Sequence, residues 1–308
     1  MNNMMTKNLL IAVLAMLSFL PKAWGQNIFS KERIENMPKA SATLQNIQGT
    51  KTDLYIQGSV GRLAATLQKP MIINGGTVPL VIIMHGLVDN KEVALFSQLA
   101  DSLQLNGIAS TRFDFNGHGK SEGEFVNVDW DKVRADADSI LKYARTLDFV
   151  NGISLAGHSM GGVVASMLAG KEGTDNIQSE VLFAPAGSVR DDALRGSFFG
   201  FDFDPQNIPD TIHLFERELG ANLFKTAQPL PIFETAEKYQ GRLYVIHGTH
   251  DSAVPYTYGE RYVHDNPNGK IQLLEGYDHD FSQGIDLPVS LATRFFKQTL
   301  LQGGNIAN

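Results

Sequence analysis

Short continuous apolar runs alternate along this chain with longer stretches whose apolar residues recur every three or four positions. Residues 80–84, Leu-Val-Ile-Ile-Met, and 181–184, Val-Leu-Phe-Ala, show no polar alternation, which marks strands buried on both faces. Residues 108–113, 243–246 and 270–274 read as further strands, and 153–156 climbs into a glycine-rich turn. Between them lie helical stripes. Val93, Phe96, Leu99, Ala100 and Leu103 share one face of a helix that Gly107 closes. Val133, Ala137, Ile140, Leu141 and Ala144 do the same within 129–147. A small-residue helix follows the turn with Val163, Val164, Ala165, Met167, Leu168 and Ala169, and residues 256–264 and 287–301 read as helices. Strand and helix in alternation predict a mainly parallel sheet flanked by helices, with right-handed crossovers. Ahead of this pattern, 51–57 and 61–68 alternate around Gly58 and Gly61 and read as an antiparallel hairpin, with 70–79 as a loop.

One stretch breaks the alternation. Residues 186–233 hold Phe198, Phe199, Phe201, Phe203, Phe215 and Phe224 together with Pro205, Pro209, Pro229 and Pro231. The stretch is too long for a plain connection and too apolar to be disordered, so it reads as a cap inserted into the domain. The beginning differs in another way. Lys7 precedes an apolar run over 9–20, and Ala23-Trp24-Gly25 follows as a small-x-small cleavage pattern. Residues 1–25 are therefore expected to be a signal peptide, Gln26 the mature terminus, and the protein periplasmic or secreted. A retained membrane anchor is the competing reading, but the run is short of the roughly 20 residues a span needs. Residues 26–308 form the expected domain, 26–48 being a polar lead-in.

Composition narrows the partners. The chain has 308 residues, a net charge of −7 and no basic block, which argues against nucleic acid and anionic membrane surfaces. Cysteine is absent, so there is no disulfide or thiol chemistry, and an exported chain of this length must be held by its core.

The chemistry gathers around Gly157-His158-Ser159-Met160-Gly161, a G-x-S-x-G sequence. With 29 glycines the pattern alone could be any glycine-rich turn. A strand before it and a helix after it make it a turn that lifts the Ser159 hydroxyl to the end of a sheet, with the Met160 amide opening the helix. A serine hydroxyl needs a base, and the base an orienting carboxylate. Both follow in the chain at strand ends: Asp251 in His247-Gly248-Thr249-His250-Asp251, and His279 in 275–281. The order Ser, Asp, His is that of α/β-hydrolases. The competing histidines fit less well. His158 adjoins the serine but its ring is expected to point away, His247 to pack at a strand end, His250 to stay a loop residue, and His118 to support its own glycine-rich loop. His247, His250 and Asp251 could cluster on a metal, but the spacing fits no familiar zinc helix, so no metal or other cofactor is expected. An oxyanion hole needs two donors. Met160 supplies one, and Leu87, after Gly86 at the end of the first buried strand, the other.

On these residues the chain resembles bacterial α/β-hydrolase esterases of the cinnamoyl (feruloyl) esterase group. The matching pieces are His-Gly-Leu at 85–87, the loop 113–123, 157–162, 184–187, 191–196, 229–234, 247–251 and 275–281. The resemblance implies an α/β-hydrolase fold and a triad at Ser159, Asp251 and His279, with oxyanion amides at Leu87 and Met160. It further implies that Asp192 bonds the phenol hydroxyl of a hydroxycinnamate; read from its place alone, Asp192 is equally a helix-start or solvated carboxylate. Leu87 and Met160 stand where the group often has phenylalanine and glutamine, a change that leaves the backbone donors intact. No Tyr or Trp stands at 222–224, where members of the group carry one. The expected partner is a small-molecule ester or a feruloylated oligosaccharide. A general carboxylesterase, a monoacylglycerol lipase, a serine aminopeptidase-like hydrolase and a non-catalytic hydrolase-fold binding protein are the alternatives.

Overall fold

The computed structural model describes residues 49–73, 75–214 and 216–301. The expected signal segment, the lead-in 26–48 and Phe215 lie outside the described residues. The hairpin forms as β1 (Thr50–Gln57) and β2 (Arg62–Lys69), and β3 (Val78–Met84) follows. Then come α1 (Ala94–Leu105), β4 (Ala109–Phe113), α2 (Trp130–Ala144), β5 (Val150–His158), α3 (Met160–Glu172) and β6 (Ser179–Phe183). After the next connection the chain resumes the alternation with a strand at Arg242–Gly248.

The connection between those strands carries α4 (Val189–Arg195), two short hairpins, β7 (Ser197–Phe198) with β8 (Phe201–Asp202) and β9 (Thr211–Leu214) with β10 (Arg217–Gly220), and the helices α5 (Ala221–Ala227) and α6 (Ile232–Ala236). The strand that resumes the alternation is β11 (Arg242–Gly248), followed by α7 (Tyr256–His264), β12 (Gly269–Leu274) and α8 (Asp286–Leu300).

The large sheet has eight strands in the order β1-β2-β4-β3-β5-β6-β11-β12. Strand β2 runs antiparallel to both its neighbours, and every pair from β4 to β12 is parallel. The absence of polar alternation at 80–84 has a direct cause. Leu80, Ile82 and Met84 pack with α2 and α3 on one face, while Val81 and Ile83 pack with α1 and α8 on the other. The helix stripes are buried as their spacing predicts. In α2, Asp129 caps the first turn by accepting from the Lys132 amide at 2.9 Å. In α1 the helix begins one residue later than the stripe suggests: Val93 is the N-cap and Leu95 joins the buried face.

One core group stands out. Glu180 on β6 is fully buried, its Oε2 has no hydrogen-bond partner among the described residues, and burial pushes its pKa up to about 8. It is thus protonated at neutral pH.

Candidate active site

The connections that leave the carboxyl ends of β3, β5, β11 and β12 meet around one cavity of about 400 Å³. This is where parallel sheets of this kind place ligands. Leu87, Ser159 with Met160, and His279 all line it. Asp251 lies behind His279.

Ser159 has φ 52° and ψ −118°, a conformation that side chains rarely adopt. The surrounding backbone holds it there. Its amide donates to the Phe183 carbonyl at 3.0 Å, and its own carbonyl accepts from Gly162 and Ala186. The two flanking glycines are required by close approach: a Cβ on Gly157 would sit 2.2 Å from the Gly161 carbonyl oxygen, and one on Gly161 would sit 2.3 Å from that of Met84. Met160 is the first residue of α3, where the helix offers its amide no acceptor.

The predicted base and its carboxylate are joined. His279 Nδ1 donates to Asp251 Oδ2 at 2.7 Å, which leaves Nε2 as the acceptor facing the cavity side. Asp251 Oδ1 accepts from the Ala253 and Val254 amides at 2.9 and 2.7 Å. Burial alone would raise the Asp251 pKa, but the hydrogen bonds from His247 and His279 hold its carboxyl well below the usual range. Among the described residues no hydrogen bond joins Ser159 to His279; in ligand-free serine hydrolases this bond is often long and tightens when substrate binds.

The other histidines take up places that the spacing of the sequence only partly reveals. His247 does not merely pack: its Nε2 lies 3.0 Å from Asp251 Oδ2 and 3.0 Å from the Val254 carbonyl, so the Asp251 oxygen is shared by two imidazoles. The His250 side chain is exposed and is not among the residues that line the cavity. His118 supports its loop through Asn116 O at 2.9 Å, and also reaches across to the Leu87 carbonyl. It therefore holds the peptide that follows the predicted oxyanion donor. His85, which burial pushes down to about 3, accepts from the Phe115 amide and so links the same two loops. Asp114 accepts from Lys91 and Lys120 amides and ties them a third time. His158 turns away from the serine hydroxyl, as expected, toward Asp89 and the His279 backbone.

Ligand atoms of His158, His279 and Asp280 lie within 4.8 Å of one another. Yet His158 faces an acceptor at each nitrogen and His279 commits Nδ1 to Asp251. The donor set is that of an acid–base site, not of a cation site.

The far wall comes from elsewhere in the chain. Val189 and Asp192 of α4, Phe198 and Phe199 of the first hairpin, and Leu223 of α5 line the cavity. No Tyr or Trp stands at 222–224, but the sequence pattern did not suggest that Trp130, at the start of α2, lines the cavity, its buried Nε1 without a partner among the described residues. Phe203 and Phe224 pack against each other beneath this wall, and Phe201 is exposed. Asp192 is mostly buried. Its Oδ2 accepts from Ser188 at 2.8 Å and its Oδ1 pairs with Arg195; burial raises its pKa against both of these. Among the described residues no Lys or Arg lines the cavity.

A strained serine at a strand-to-helix turn, a carboxylate-bound imidazole and a mainly parallel sheet define a serine hydrolase of the α/β-hydrolase fold. Comparison with known proteins agrees. Residues 77–201 match the family model described as serine aminopeptidase, S33. The structure of Est1E from Butyrivibrio proteoclasticus with ferulic acid bound is 30% identical over 80% of this chain and 98% of that one, with a TM-score of 0.76. The Pyrococcus furiosus esterase Pf2001 is 20% identical over 83% of this chain and 95% of that one, with a TM-score of 0.59, a likeness of fold. No curated protein matches the sequence. The chain belongs to the α/β-hydrolase family of serine esterases.

Proposed function

We propose that this protein is an exported esterase that releases hydroxycinnamates from their esters, among them feruloylated sugars of plant cell walls. Ser159 Oγ attacks the ester carbonyl while His279 Nε2 takes its proton. Asp251 holds the imidazole in the tautomer that can accept it and stabilises the imidazolium that forms. The carbonyl oxygen becomes an oxyanion, stabilised by the Leu87 and Met160 amides. The alcohol leaves with the proton from His279. Water then attacks the acyl-enzyme with His279 again as base, and the acid and free Ser159 result.

The observation that carries the substrate assignment is Asp192 in the cavity wall. Trp130, Val189, Phe198 and Leu223 make that wall apolar and suited to an aromatic ring. A carboxylate there has meaning for a ligand that brings a hydroxyl to it, since each carboxylate oxygen can accept beyond the bonds Ser188 and Arg195 already make. The likeness to a relative solved with ferulic acid bound supports the same reading. The lack of a lining Lys or Arg among the described residues speaks against an acyl group carrying its own carboxylate.

A site built around a hydroxyl penalises the analogue that lacks it, because its polar group is then left unpaired. Methyl ferulate and methyl p-coumarate should exceed methyl cinnamate in kcat/KM by roughly tenfold, and Asp192→Ala should erase that preference while sparing acetate esters. Equal values for hydroxylated and plain cinnamates in the unaltered protein would replace this substrate class with general carboxylic esters.

A further inference from the structure

His158 stands next to the nucleophile in the chain, yet no step above uses its ring. It is buried, with Phe96 and Phe281 at ring separations of 6.3 and 6.2 Å. Its Nε2 lies 3.0 Å from the main-chain oxygen of His279, and its Nδ1 lies 3.6 Å from Asp89 Oδ2. Both neighbours are acceptors. A neutral imidazole has one N–H and one lone pair, so it would turn a lone pair toward one of them. An imidazolium places an N–H on each.

The charges around the ring favour that form. Asp89 approaches from the loop after β3 and Asp280 from the loop after β12; the other titratable groups beside it are the neutral His85 and the ring of His279, 4.8 Å away between centroids. Burial is the largest influence and works against the charge, but Asp89, the His279 carbonyl and Asp280 together outweigh it and the His158 pKa is raised.

The bond to the His279 carbonyl matters because of how the base is held. The side chain of His279 is tied at Nδ1 to Asp251. Its backbone sits in a loop whose own nearby bonds are long: Tyr277 N to Leu274 O at 3.3 Å and Phe281 N to Asp278 O at 3.4 Å. The His250 amide secures the Tyr277 carbonyl at 2.9 Å, two residues before the base. At residue 279 itself, among the described residues, the main-chain tie is His158.

We propose that His158, held by Asp89, is a positioning residue that pins the His279 carbonyl and so fixes where the base stands relative to Ser159. This rests on His279 being the base. The nucleophile elbow then carries its own strut: the residue before the serine locates the group that must take the serine's proton. Three strand ends are joined by it, those of β3 through Asp89, β5 through His158 and β12 through His279.

The test uses purified His158→Leu, His158→Gln and Asp89→Asn with p-nitrophenyl acetate, beside melting curves. Leucine fills the space without a donor, whereas the glutamine amide can place an N–H near the position of Nε2. His158→Leu should lower kcat by roughly 100-fold with KM little changed, because a displacement of about 1 Å in a reacting group costs that much. His158→Gln should recover most of it. In Asp89→Asn the imidazolium is lost at lower pH, so the alkaline fall in kcat should begin at lower pH than in the unaltered protein. Folded His158→Leu with unaltered kcat would overturn the proposal, as would His158→Gln losing as much as His158→Leu. If His158→Leu does not fold, the other two variants decide: a pH profile of Asp89→Asn that superimposes on the unaltered one also overturns it. His279→Ala separates this from the proposed function. Were that variant active, the base itself would be misassigned; with it inactive and His158→Leu at full rate, the positioning role alone fails.

Discussion

The cavity has two sides that are built differently. On the sheet side, polar side chains are tied within their own loop and across to another: Asp251 to two imidazoles and two amides, Asp114 to two loops, His118 to the Leu87 carbonyl. On the side supplied between β6 and β11, short hairpins and helices present rings, and Phe199 and Phe201 at the tip are 43% and 36% exposed. The difference teaches where each kind of requirement is met. Proton transfer needs atoms fixed to a fraction of an ångström, so it is placed on strand ends that the core immobilises. Recognition of a ring needs area and shape, which a few apolar side chains on a small insertion can supply.

Substitutions on the sheet side should therefore strike every ester alike. Ser159→Ala and His279→Ala should each lower kcat by about 10⁶, and Asp251→Asn by about 10⁴, for acetate and aromatic esters equally. Melting temperatures of the Ser159 and His279 variants should stay nearly unchanged. Rates measured on one acetate and one ferulate ester check this; several per cent of residual activity in Ser159→Ala would break the assignment of the nucleophile.

On the opposite side the effect should depend on the ester. Phe198 lines the cavity, edge-on to Phe224 at 5.3 Å. Phe198→Ala should reduce kcat/KM for methyl ferulate by roughly tenfold, the worth of lost apolar burial, and leave p-nitrophenyl acetate within about twofold. A parallel loss for both esters would mean that the two sides are not separable.

The smallest effect on rate is expected at a carboxyl that belongs to neither side. Glu180 is held protonated, with a folded-state pKa of about 8 against an ordinary 4.5. Between these values the unfolded chain has released the proton and the folded one has kept it, so stability falls as pH rises from about 4.5 to about 8. Glu180→Gln should remove that slope, raising the melting temperature more at pH 8 than at pH 5, by an amount on the order of a few kcal/mol in stability, with kcat for both esters unaltered. Melting curves across pH would show it.

Much of the sheet side was legible in the sequence because its signals are local. A doubly buried strand is a continuous apolar run, the turn at Ser159 needs glycines at 157 and 161, and the order of Ser159, Asp251 and His279 follows from strand order. What could not be read is juxtaposition. Nothing in the spacing of His247 says that it shares the Asp251 oxygen, since the two meet only because the loop 248–254 folds back. Asp89 and His158 are 69 positions apart (158 − 89) and are brought together by adjacent parallel strands. Trp130 reads as the start of a helix, and only the packing of α2 beside α5 makes it a cavity wall. The two hairpins within 186–233 were also hidden, being two to four residues per strand with no alternation long enough to detect.

The backward-bent geometry at Ser159 has a consequence for the order in which the molecule becomes competent. That conformation is held by the Phe183 carbonyl beyond α3, by the Ala186 amide and by the close approach of Gly161 to the end of β3. These contacts come from segments spread over some hundred residues, and none exists until β3, β5 and β6 stand side by side. A chain still emerging can have its helices and its hydroxyl but not a reactive serine. On refolding, the return of esterase activity should trail the return of helical signal, and a serine-directed phosphonate should mark only molecules whose sheet has closed. The enzyme is silent until it is whole.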